Sequence, residues 1–154
     1  MVTAYKKCMK QAGLLVIALS ILGCATRTPD PKFARQGQDY EFAWSANDNN
    51  AEFAIELASR TKTPLCFSVD DWPDKFGQVS GGQGRASLKA ENFSAASADT
   101  NFGFCVGKDC TIVLAPNASI EGVIGYKEFG DPDAVRALRN KQLTYEIAPF
   151  FCQR

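Results

Sequence analysis

The chain has 154 residues, 17 basic and 17 acidic, with zero net charge and no histidine. The missing imidazole excludes Ser-His-Asp and Cys-His catalysis and any His-ligated metal. No run of Lys or Arg forms a basic patch, which argues against nucleic acid as a partner and against electrostatic docking on anionic lipid.

The N-terminus carries Lys6, Lys7 and Lys10 and no acid, followed by an apolar stretch from Leu14 to Leu22. About nine apolar residues fall short of the ~20 that a membrane-spanning helix needs. The stretch is apolar nearly all round, unlike the one-sided pattern of a core helix. A positive segment and a short apolar segment ahead of small residues fit a cleaved export signal. Ile21-Leu22-Gly23-Cys24 then resembles the lipobox of bacterial lipoproteins: an aliphatic residue, a variable one, a small one and the lipid-bearing cysteine. The resemblance implies diacylglycerol in thioether linkage on Cys24, cleavage after Gly23 and acylation of the new amino group. In that family Ala25, in place of aspartate, goes with outer-membrane sorting and a periplasm-facing domain. Gly23-Cys24-Ala25 also fits a small-x-small cleavage site, which would release a soluble secreted protein starting at Thr26.

Residues 1–23 are therefore expected to be signal, 24–38 a lipidated cysteine with a flexible tether, and 39–154 a single domain. The tether contains two prolines and shows no apolar periodicity. Without the three signal lysines, the mature chain has 17 acids against 14 bases.

The domain reads as short strands with alternating apolar positions. Tyr40, Phe42 and Trp44 share one face, as do Phe53, Ile55 and Leu57, then Leu65, Phe67 and Val69. Ala86, Leu88 and Ala90 alternate next. Residues 102–106 and 110–115 are expected to form a hairpin, and Ile120, Ile124 and Tyr126 another strand. In 130–140, Asp131 is placed to cap a short crossover helix with Pro132 at its first position. Val135 and Leu138 should face the sheet. Leu143, Tyr145 and Ile147 form the last strand face.

Four cysteines remain beyond Cys8 and Cys24, and an even number in an exported chain suggests disulfides. A two-residue turn at Gly107-Lys108 makes Cys105 and Cys110 a non-hydrogen-bonded cross-strand pair, within disulfide reach. Cys66 and Cys152 pair by elimination. A four-thiolate zinc site would want two close cysteine pairs, and only one exists. The expected fold is an all-β antiparallel immunoglobulin-like β-sandwich of about 7–8 strands, with one crossover helix and disulfide staples. The segment from Ala115 to Tyr126, with Pro116 and Ser119, locally resembles the Pro-x-x-Ser strand entry of bacterial immunoglobulin-like domains.

The glycines of Phe76 to Gly84 lack the Gly-Lys-Ser/Thr ending of a phosphate loop and read as turns. The acceptor-rich segments Asn47 to Asn50 and Asp70 to Asp74 do not match the regular calcium-loop pattern. No metal or cofactor is expected. The densest cluster of recognition-type residues is Asp70, Asp71, Trp72, Asp74 and Phe76. As a loop on a rigid sheet it would use Trp72 and Phe76 as anchors and the aspartates as polar partners. Otherwise Trp72 folds over the sandwich edge. The expected function is a membrane-anchored, non-enzymatic module with a protein or envelope partner. A hydrolase inhibitor, as against lysozyme, is the alternative. A carboxylate-dependent hydrolase is the third.

Overall fold

A computed structural model describes residues 32–79, 85–98, 105 and 109–152. Among them are nine strands, all antiparallel, in three three-stranded sheets. The result is an all-β, sandwich-like fold with one short helix.

The first sheet is built from β1 (Tyr40–Asn47), β2 (Glu52–Ser59) and β7 (Ser119–Gly125), in the order β1-β2-β7. Alternation fixes its register, because a one-residue slip would turn every apolar side chain outward. Trp44, Ile55 and Gly122 stand opposite one another across it, as do Phe42, Leu57 and Ile120. Phe53, Ile55, Leu57 and Ile124 are all buried on the inward face.

The second sheet has β3 (Leu65–Ser68) between β6 (Thr111–Leu114) and β9 (Phe150–Phe151). The third has β4 (Ala86–Ala90) between β5 (Phe93–Ala96) and β8 (Gln142–Tyr145). Aromatic side chains join the sheets. Phe42 of β1 stacks on Tyr145 of β8 with ring centroids 5.6 Å apart. Trp72 meets both Phe67 of β3, at 5.8 Å, and Tyr145, at 6.3 Å.

The helix α1 (Pro132–Ala137) begins as the sequence dictates. Asp131 Oδ1 accepts from the backbone N–H groups of Asp133 and Ala134 at 3.0 and 2.9 Å, satisfying two of the donors a helix start leaves open. Val135 is buried and Leu138 packs against the core. The helix carries the chain from the first sheet to the third.

Both disulfides are present. Cys66 is bonded to Cys152 and Cys105 to Cys110, with Cα atoms 5.2 and 5.4 Å apart. The expected strand at 102–106 and the turn at Gly107-Lys108 lie outside the described residues, apart from Cys105.

Five features differ from the sequence expectation. Val69, expected on the face of the third strand, instead opens a 3-10 turn after β3. Strand β5 has only Phe93 and Ala95 to mark its inward face, too little apolar alternation to stand out. The single strand expected at the C-terminal end is divided between β8 and β9, with Pro149, which has no N–H to give a ladder, just before β9. Tyr126 does not continue β7: it opens a 3-10 turn, Tyr126–Phe129, and is fully buried there. Ordered structure also starts before Asp39. Phe151 N donates to Lys32 O at 3.0 Å, Ala34 N to Pro149 O at 2.8 Å, and Phe33 bridges Phe150. The first described segment is thus hydrogen-bonded to β9.

Candidate functional site

After β3 the chain enters a 3-10 turn, Val69–Asp71, capped by Ser68 Oγ, which accepts from Asp70 N at 3.2 Å. The cluster singled out in the sequence follows directly, and the structure separates its members. Trp72 is not an exposed anchor. It is 7% exposed and part of the core. The reason lies on the neighbouring strand. Gly122 occupies an inward position of β7, and a Cβ there would come within 2.8 Å of the indole Nε1 of Trp72. The absent side chain makes the space that the indole fills. A lone glycine in a strand pattern signals such close approach, but does not say which residue approaches.

The aspartates hold the segment in place. Asp71 forms an ion pair with Arg85 at 2.6 Å, and its carbonyl accepts from the Tyr145 hydroxyl at 2.8 Å. Burial pushes that hydroxyl well above the ordinary tyrosine range. Asp70 Oδ2 accepts from Cys105 N at 3.0 Å, tying the segment to the short disulfide. Asp74 Oδ1 accepts from Phe76 N at 2.8 Å and Gln78 N at 2.9 Å, so its side chain organises the turn. Gly77, at φ +71°, donates no side chain to that turn, and its carbonyl accepts from Gly125 N at 2.9 Å on β7. A Cβ on Gly77 would meet that same nitrogen at 2.9 Å. Phe76 alone projects, at 65% exposure, with Lys75 Nζ 5.0 Å from its ring centroid. Residues 80–84 of the expected loop lie outside the described residues.

Beside this segment the outward face of the first sheet forms an open groove of about 750 Å³. Its floor consists of two complete rungs across three strands: Ala43, Glu56 and Glu121, then Ser45, Ala54 and Val123. Pro73, Asp74 and Lys75 also line it. Small side chains on β1 and at Ala54 leave the depression, while Glu56 and Glu121 stand directly opposite each other. Like charges in that position repel, and neither has an ion-pair partner among the described residues. Sequence reasoning passed over these residues because it followed the inward positions. The signal was present in the outward ones, where Ala and Ser replace the usual long polar side chains.

The acceptor-rich turn Asn47 to Asn50 serves another purpose. Asp48 Oδ1 accepts from the Tyr126 hydroxyl at 2.6 Å and from Lys141 Nζ at 3.0 Å, while Asp48 O accepts from Arg136 Nε at 2.9 Å. The Tyr126 and Lys141 hydrogen bonds hold the Asp48 carboxyl below its ordinary range. Burial, then the Asp48 hydrogen bond, raises the Tyr126 hydroxyl far above its own. This knot ties the β1–β2 turn to α1 and β8. Glu128 is 5% exposed and accepts from Val79 N at 3.4 Å. Burial raises its carboxyl, partly offset by that backbone bond. Among the described residues no three metal-ligating side chains gather, and no helix is long and apolar enough to cross a membrane.

Compared with family models, curated proteins and solved structures, the chain matches none.

Proposed function

We propose that this chain is a lipid-anchored, periplasm-facing binding module without enzymatic activity, which holds an extended segment of an envelope protein in the groove on β1, β2 and β7. The observation that carries the reading is the groove itself: small side chains at Ala43, Ser45 and Ala54, an opposed carboxylate pair at Glu56 and Glu121, and a rim fixed by Trp72, Asp74 and Gly77. Binding surfaces that are already formed lose little on association. A shallow trough with Glu56 and Glu121 on its floor favours a segment carrying Lys or Arg. The anchor at Cys24 is supported by the lipobox resemblance.

The test is photo-crosslinking in intact cells from a photoreactive residue at position 121. A discrete adduct should form, and Ser45→Trp, which fills the groove from an exposed position, should remove it without lowering the melting temperature. Adducts that persist in Ser45→Trp would refute the groove as the binding surface.

Inhibition of a hydrolase such as lysozyme is the second reading, favoured by the projection of Phe76 from the surface, as an anchor inserted into a cleft would need. Inhibition that disappears in Phe76→Ala would move it to first place. A carboxylate-dependent hydrolase has less support, since Asp70, Asp71 and Asp74 are each engaged in holding their own segment.

A further inference from the structure

The outward face of the second sheet carries an apolar row whose two ends are exposed and whose middle, at Cys66, is buried. Phe33 bridges Phe150, Phe150 stands opposite Cys66, and Cys66 stands opposite Val113. Residues facing each other on antiparallel strands project to the same side. These four therefore share one face, opposite to the one through which Leu65 and Phe67 enter the core. Phe33 is 60% exposed and Val113 63% exposed, at the two ends of the row, and the disulfide to Cys152 lies between them. Single exposed apolar residues are ordinary on protein surfaces, but here two stand on one face with half-buried Phe150 and buried Cys66 between them, so no polar side chain interrupts the row.

The position of the row in the chain identifies what it contacts. Phe33 follows directly on Lys32, where the described structure begins, and Cys24 lies eight residues before Lys32. Eight residues span at most about 29 Å when fully extended. Acyl chains on Cys24 would hold this face near the bilayer at all times, a large effective concentration for a weak contact. Phe side chains on an apolar face can bury at the boundary between headgroups and acyl chains. The contact relies on apolar area and needs no basic surface, which the chain lacks.

We infer that the face bearing Phe33, Phe150 and Val113 rests on the surface of the membrane that anchors the chain, so that the domain has a fixed orientation on the bilayer. The inference rests on the anchor at Cys24 proposed above.

The experiment uses the mature protein from a lipoprotein-competent bacterium. Its intact mass is measured first, and the protein is then reconstituted in phosphatidylcholine vesicles brominated on the acyl chains. Emission added by Phe33→Trp should be mostly lost to quenching, over the background set by Trp44 and Trp72. Val113→Trp, at the other end of the row, should behave alike and covers the case in which Phe33→Trp fails to fold. An acylated mass with no added quenching at either position would overturn the docking while leaving the anchor standing. A dimer by sedimentation, with both positions unquenched, would overturn it in favour of a second copy on this face. A mass without acyl chains would overturn the anchor, and the docking with it.

Discussion

Trp72 and Phe76 lie four residues apart in a segment that looks uniformly loop-like, yet one is core and the other solvent. Replacing them therefore separates packing from recognition. Trp72→Ala leaves a cavity among Phe67, Tyr145 and β7 and should cost about 3–5 kcal/mol, whereas Phe76→Ala should change stability little. Gly122→Ala should also destabilise, by about 1–3 kcal/mol, through overpacking against the indole. Equilibrium denaturation of the three variants checks the assignment. The sequence offered both an exposed anchor and a Trp72 folded over the sandwich edge, and could not decide between them locally because the cavity for Trp72 is made by a glycine 50 positions away. Glu128 has a separate pH signature. Its carboxyl titrates higher in the folded protein than in the unfolded chain, so the native state binds the extra proton and stability falls as pH rises between the two values. Glu128→Gln, which keeps an acceptor for Val79 N–H, should raise the melting temperature at pH 7. Below pH 4 it should match the wild type, and thermal melts across that range measure the difference.

Elements with a strong period or a complete set of end signals were readable. Strand β2 shows it most clearly, with buried Phe53, Ile55 and Leu57 alternating with more exposed neighbours. So does α1, where Asp131, Pro132 and Val135 each take the expected role. The elements that escaped are those whose stability comes from neighbours. Strand β5 exists because β4 offers it a ladder, and β9 is two residues held by β3 and by the segment around Phe33. The disulfides act at this scale too. The bridge between Cys66 and Cys152 closes a separation of 86 residues and should contribute about 4.5 kcal/mol through loop entropy. The five-residue separation of Cys105 and Cys110 should contribute about 2 kcal/mol. Cys66→Ser with Cys152→Ser should therefore lower the denaturation midpoint more than Cys105→Ser with Cys110→Ser. Equal losses would mean that the short bridge matters chiefly through Asp70, which holds Cys105 N.

Across the whole molecule, the all-β class followed from the strand count, but the division into three sheets did not. Which strand edges meet depends on non-local aromatic contacts such as Phe42 with Tyr145, and alternation along one strand carries no information about them. The candidate groove was hidden for the same reason: its floor is assembled from the outward residues of three strands, two of which are consecutive and the third remote in sequence. The long disulfide has a further consequence for a chain pulled from its two ends. Tension entering at Lys32 first meets the hydrogen bonds to β9, and β9 runs into Cys152, which is covalently tied to Cys66. If those bonds unzip, only the chain ahead of Cys66 can straighten, while the stretch between the two cysteines stays looped behind the bridge. About 300 Å of contour length is thereby withheld from the load. The bridge is a mechanical stop that lets the leading strands yield while keeping β3, β7 and the rest of the domain from being drawn out.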